Sequence, residues 1–173
     1  ASYRRQRQMC IRDRFDSIPS DLGVLLLQKN SLKKYDTLCD EVNLYVQGIN
    51  GGISGGTVAS MVNIINYIKL YPKKRDMLKS PLSLNPVWET NNYVDQPTLK
   101  SIRWDKREKK WTCPFLMAGI NTRIVRRTNA IADFPYGENF KYNEMSSYNR
   151  GLYGFLKALM MLTTLGLLQL TIK

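Results

Sequence analysis

Residues 46–61, VQGINGGISGGTVASM, crowd five glycines into nine positions between two apolar segments. Glycine-rich turns between a strand and a helix are where backbone N–H groups cradle phosphate, so this loop is the first place to look for nucleotide chemistry. The dinucleotide fingerprint G-x-G-x-x-G fails here. Counting from Gly48, Gly51 or Gly52, the third position is Asn50, Ile53 or Ser54. Gly51 and Gly56 have the separation of a P-loop and Thr57 follows, but the lysine that must reach the terminal phosphates is missing. Two readings remain open. Gly51, Gly52, Ser54, Gly55, Gly56 and Thr57 form either a close-approach loop, with hydroxyls and helix N–H groups aimed at an anion, or a plain capped turn.

Other residue types narrow the chemistry. The chain has no histidine, which excludes a histidine triad, metal site or imidazole base within it. Proton transfer falls to Asp, Glu, Tyr or Lys; Tyr45, Tyr136 and Tyr142 are candidate donors. Cys10, Cys39 and Cys113 show no metal or redox spacing, as expected of reduced thiols in a cytosolic setting. Arg123, Arg126 and Arg127 lie together beside Thr122 and Thr128, and their forks suit a cofactor phosphate or an acidic substrate. A solvated or salt-bridged face explains them as well. The run WDKREKKW mixes aromatic and basic residues as nucleic-acid surfaces do, but a hairpin with a charged tip accounts for it, so nucleic acid is not the expected partner.

The elements that must carry these residues are of mixed type. SDLGVLLLQKN reads as a helix capped by Ser20 or Asp21. EVNLYVQG alternates Val42, Leu44 and Val46, the period of a half-buried strand. SGGTVASMVNIINYIKLYP is helical in spacing until Pro72, and the proline-rich stretch after it reads as a long surface connection. KSIRWDKREKKWTCPF reads as a hairpin with Trp104 and Trp111 on its two arms. NTRIVRRTNAIAD is a short helix or a strand running into one, and ENFKYNEMSSY is strand-like. The sum is an α/β chain, α+β if only part of a larger protein.

The two ends differ in character from the middle. The net charge is +12, of which residues 1–14, with five arginines and one aspartate, supply 5 − 1 = +4. That segment has no periodicity and resembles translated sequencing-adapter DNA; a basic arm is the alternative, and no function is assigned to its arginines. Residues 151–170, GLYGFLKALMMLTTLGLLQL, carry one charge, Lys157. Twenty helical residues span ~30 Å, so the segment is a buried helix of a larger protein, an interfacial helix or an inserted one. Its apolar residues are not confined to one stripe, which favours insertion, and the chain reads as truncated beyond it.

Three segments in order, FDSIPSDLGV (15–24), GGISGGTVASM (51–61) and PFLMAGINTRIVRRTNA (114–130), resemble the saccharopine-dehydrogenase-like oxidoreductases, the group that includes trans-acting enoyl reductases. Arg14 stands where the family pattern has glycine. The resemblance implies a division into residues 15–30, the last edge of a Rossmann domain, and residues 31–150, a substrate-side mixed-sheet domain; residues 151–173 follow as the apolar helix whose composition suggests a membrane or lipid surface. It further implies that Asp16, Ser17, Pro19, Ser20 and Asp21 form a turn lining the cleft between cofactor and substrate, with the loop 51–57 facing the same cleft. The parent would use NAD(P) on a small or lipid-like substrate, on the cytoplasmic side and in contact with a lipid surface. This chain, without the nucleotide-binding half, would bind no cofactor and be inactive. A non-catalytic, membrane-associated scaffold is the rival reading.

Overall fold

The computed structural model describes residues 17–48, 63, 70–71, 80–86 and 95–171. The loop 51–57, the helix expected after it, Asp16 and the basic segment 1–14 lie outside the described residues. Within them the order is α1 (Ile18–Tyr35), β1 (Glu41–Val46), β2 (Arg103–Asp105), β3 (Lys110–Pro114), α2 (Ala118–Ile131), β4 (Lys141–Tyr148) and α3 (Leu152–Thr171). The four strands form one mixed sheet in the order β1-β4-β3-β2, so the α/β expectation holds. β1 runs parallel to β4, with Glu41 opposite Lys141 and Val46 opposite Ser146. β4 and β3 are antiparallel, as are β3 and β2.

α1 starts earlier than its capping signals suggest. Its N-cap is Ser17, not Ser20 or Asp21, and Pro19 sits in the first turn. Proline is at home there, because its missing N–H would have no intrahelical partner in any case. Of the five residues expected in a cleft-lining turn, Ser17 is thus the N-cap, and Pro19, Ser20 and Asp21 lie in the opening turn of the helix. The helix ends at Asp36, whose left-handed φ of 53° lets its N–H return to the Leu32 carbonyl. Gln28, fully buried, then holds the exit: its Nε2 donates to the Cys39 carbonyl and its Oε1 accepts from the Cys39 N–H, both at 2.8 Å.

The core gathers Val24 of α1, Val42 of β1, Val125 of α2, Tyr136 and Phe140 of the connection from α2 to β4, and Tyr142 of β4. The hairpin forms as its alternation suggests, with Trp104 opposite Trp111 and the two rings edge to face at 5.1 Å. Its turn is set by Asp105, whose Oδ1 accepts from the N–H groups of Arg107 (2.8 Å) and Glu108 (3.2 Å). Asp105 also ties the two edges of the sheet, since its Oδ2 accepts from the Tyr45 hydroxyl at 2.6 Å. β1 and β2 are three interstrand spacings apart, about 14 Å in a flat sheet, farther than a tyrosine reaches. The tyrosine, the aspartate and the bond between them cover most of that span, and ordinary strand twist closes the rest. Burial, the hydrogen bond and the Asp105 charge push the Tyr45 hydroxyl up to about 12, and that bond holds the Asp105 carboxyl below its usual range.

The proline-rich stretch is not simply a surface connection. Ser83, Asn85 and Gln96 are buried, and the carbonyls of Ser80, Pro81 and Leu84 accept from Arg123, Arg126 and Arg127 of α2.

α3 forms as expected, and among the described residues no helix is long and apolar enough to cross a membrane. Lys157, Thr163, Thr164 and the two glycines dilute its hydropathy. It lies against β3 and β4, with the Phe155 ring edge to face on Trp111 at 5.1 Å. Gly154 sets how tightly the connection from β4 folds against the first turn of α3, because a Cβ there would sit 1.7 Å from the Asn149 carbonyl oxygen. Helix propensity alone would make Gly154→Ala stabilising by about 1 kcal/mol. The backbone collision outweighs it, and we expect a net loss of about 1–3 kcal/mol, read as a lower midpoint in chemical denaturation. Gly166→Ala, with open space around its Cβ, is the control and should not destabilise.

Candidate functional site

The motif residues that open α1 converge on a buried polar cluster. Ser17 does not cap its own helix; its Oγ donates to Asn121 Oδ1 of α2 at 2.9 Å. Asn121 passes the interaction on, its Nδ2 donating to Glu144 Oε2 of β4 at 2.9 Å. The other carboxylate oxygen of Glu144 accepts from the Tyr142 hydroxyl at 2.7 Å. Glu144 is 1% exposed, and both its oxygens are met by neutral donors rather than by a cation. Burial, followed by the charge of Glu144 and its hydrogen bond, pushes the Tyr142 hydroxyl far above its ordinary value, while a hydrogen bond with Ser20 pulls the other way. One turn along α1, Asp21 Oδ2 accepts from Thr128 Oγ1 at 2.9 Å, and its Oδ1 is buried with no partner. Desolvation raises the Asp21 carboxyl, against the Thr128 hydrogen bond.

The geometry brings Ser17, Ser20 and Asp21 together and separates Pro19 from them. Ser17 and Ser20 are buried against α2 and β4, whereas Ile18 and Pro19 face outward. The three arginines form a second group on α2. Arg126, 5% exposed, donates to the carbonyls of Pro81 (3.2 Å) and Tyr142 (2.8 Å), and its Nε is buried without a partner. Burial, then the neighbouring Arg123, bring its guanidinium down to about 10. Arg123 donates to the carbonyls of Ser80 and Gly119, and Arg127 to that of Leu84. Among the described residues these cations thus brace the segment 80–86, and the two groups meet at Tyr142.

Asn121 and Glu144 were not among the candidate residues. The available signal was a polar stripe: buried Asn121, Val125 and Asn129 share one face of α2 at four-residue spacing. β4 is the second signal, since KYNEMSSY buries six of eight residues with little apolar content. What this arrangement does chemically is positional. It clamps the first turn of α1, with its three polar motif residues, to the middle of the sheet.

The passage from β3 to α2 runs through Phe115, Leu116 and Met117, and that from β4 to α3 through Asn149, Arg150 and Gly151, so neither carries a glycine fingerprint to admit a pyrophosphate. No group of three or more metal-ligating side chains occurs among the described residues.

An α/β chain with a mixed sheet and a clamped helix start is thus the class that fold and site define. In sequence it is similar to a provisionally named trans-acting enoyl reductase of Mycobacterium tuberculosis, with 38% identity over 138 residues, 77% of this chain and 33% of the relative. A trans-acting enoyl reductase of Mycobacterium bovis is 32% identical over 149 residues, 80% of this chain and 34% of its own. One from Mycobacterium ulcerans is 31% identical over 142 residues, 79% of this chain and 34% of its own. The chain therefore spans about a third of the length of the curated relatives it matches. No protein-family model matches the chain, and no solved structure does.

Two predictions follow from the cluster. Tyr142→Phe and Glu144→Gln should each cost about 1–3 kcal/mol in denaturant unfolding, because each leaves a buried group without its partner. The double variant should cost clearly less than the sum, since the two share one hydrogen bond. Asp21 tests the sign of its own shift. A carboxyl raised by burial binds its proton more tightly in the folded state, so its contribution is most favourable below the unfolded value of 3.8 and is lost as pH rises through the folded one. Asp21→Asn should therefore raise the melting temperature at neutral pH, and that gain should shrink as the pH falls towards 3.8.

Proposed function

We propose that this chain is the substrate-side portion of an NAD(P)-dependent, saccharopine-dehydrogenase-like oxidoreductase of the trans-acting enoyl reductase branch. The parent's reaction is reduction of a carbon–carbon double bond in a lipid-like substrate. A hydride adds to one alkene carbon, the other takes a proton, and the nicotinamide is oxidised. The observation that carries the reading is the similarity to the mycobacterial reductases over more than three-quarters of the chain.

The fold supports it at one point in particular. α1 is built inside out: Ser20, Val24 and Gln28 face the core, while Ile18, Leu22 and Leu26 stand exposed. A helix with both faces suited to packing belongs between two bodies. In this reading the outer face meets the nucleotide-binding part of the parent, and the clamp beneath it fixes the cleft wall that Asp16 and Ser17 belong to. The chain's own residues then orient that wall, and the cofactor is held elsewhere in the parent. A non-catalytic scaffold that keeps the fold is the second reading, favoured by the exposed apolar surface of α3.

The full-length parent decides between them. Incubated with NADPH and a long-chain α,β-unsaturated thioester, it should oxidise the cofactor and saturate the thioester; no turnover with either nicotinamide across chain lengths overturns the enzyme reading. In that protein Asp16→Ala and Gly55→Val should each lower kcat about tenfold to a hundredfold with the melting temperature unchanged. Wild-type kinetics would remove both positions from the cleft. The chain of 173 residues alone should not bind NADPH, and micromolar binding by calorimetry would contradict the division of labour.

A further inference from the structure

We propose that the outward face of α3, with the β2–β3 hairpin beside it, docks the protein flat onto an anionic lipid bilayer surface. The side of α3 turned to the sheet is occupied by Gly154, Phe155 and Ala158. The opposite side carries Leu152, Leu156, Met160 and Leu167, with Leu152 74% and Met160 73% exposed, and Tyr153 beside them. Spaced by four, four and seven residues, these make an apolar stripe over about 22 Å of helix, crossed between Met160 and Leu167 by Thr163 and Thr164. The polar groups within it are already satisfied, since the Thr163 and Thr164 hydroxyls both donate to the Met160 carbonyl, at 2.9 and 2.8 Å. Lys157 folds its ammonium over the Tyr153 ring, 4.5 Å from the centroid. With both threonine hydroxyls turned back onto the helix backbone, the stripe presents mainly apolar atoms outward, flanked by the amphipathic Tyr153 and Lys157.

At its N-terminal end the stripe runs into an open hollow of about 570 Å³ lined by Trp104, Trp111, Gly151, Leu152 and Phe155. Tryptophan and tyrosine are the side chains that settle at the headgroup level of a bilayer. The charges around this end select the kind of surface. Residues 100–110 hold six basic and two acidic side chains, 6 − 2 = +4, and the hairpin tip presents Lys106, Arg107 and Lys109 to solvent. Exposed Arg150 stands immediately before the hollow. An apolar stripe bordered by basic residues is the pattern of an interfacial helix, buried to the level of the acyl boundary and held by anionic headgroups. An acidic protein would answer the charge but would find no polar partner along the stripe. Crossing the bilayer is ruled out by the sheet already packed on the other side of α3. The docking is independent of the catalytic reading, for a chain whose parent reduces nothing could still carry it.

Flotation of the 173-residue chain with phosphatidylcholine vesicles, with and without phosphatidylglycerol, tests this. The chain should float with the anionic vesicles, detach as salt is raised, and show a blue shift in tryptophan emission on binding. The double variant Leu156→Glu, Met160→Glu and the triple variant Lys106→Glu, Arg107→Glu, Lys109→Glu should each bind at least about tenfold more weakly. All five side chains are exposed, so circular dichroism of both variants should match the wild type. The proposal is overturned if the wild type stays with the soluble fraction, floats equally with neutral vesicles, or binds as tightly with both sets of substitutions. It is overturned too if polyglutamate captures the chain while anionic vesicles do not.

Discussion

Glu144 sets the terms for the rest of this molecule. It sits in β4, the strand flanked by β1 on one side and β3 on the other, and has almost no contact with solvent. A carboxyl group in that position without partners would cost several kcal/mol, enough to threaten a domain of ordinary stability. It is accommodated because Asn121 and Tyr142 donate to its two oxygens, and Asn121 is itself oriented by Ser17. Each link constrains an element: α2 must place Asn121 over the sheet, and α1 must begin where Ser17 reaches Asn121. The packing of both helices is thus dictated as much by polar satisfaction as by the apolar cluster around Val24, Val42 and Val125.

This dependence explains what could be read from the residues and what could not. Alternation of Val42, Leu44 and Val46 marked β1, and the two tryptophans marked the hairpin, because in each case one face is apolar and the other is not. α2 was ambiguous because its buried stripe contains Asn121, Thr122, Arg126 and Asn129, which periodicity of apolar residues cannot register. Ser17, Ser20 and Asp21 stood out through their resemblance to a family motif, yet their partners are 104 to 107 residues away for the two bonds involving Ser17 and Asp21. No local pattern encodes a contact at that distance. The same holds for Arg123, Arg126 and Arg127, whose adjacency suggested a ligand and whose forks close on carbonyls of residues 80–84.

Two helices here carry apolar residues on the side turned away from the core, and they do so differently. On α1 the inward side is partly polar, with Ser20 and Gln28 fully engaged, so its outward leucines are in addition to a completed internal contact. On α3 the inward side is small and aromatic, with Gly154 against the Asn149 backbone and Phe155 on Trp111. The first is consistent with a second packed body, the second with a fluid one.

The parallel pairing of β1 with β4 has a kinetic side. Glu41 meets Lys141, and every rung of that ladder joins residues a hundred positions apart in the chain. Closing such a span loses conformational entropy before any contact rewards it, whereas β2 finds β3 across a four-residue turn, and β3 and β4 are joined through α2. Loop-closure entropy therefore favours one order of assembly: hairpin first, β4 against it next, and β1, at the edge of the described sheet, last. Lengthening the chain between β1 and β2 changes the equilibrium little, about 0.6 kcal/mol per doubling, but it prolongs the interval in which β4 waits with one edge unpaired. An unpaired strand edge during that interval is open to the wrong partner.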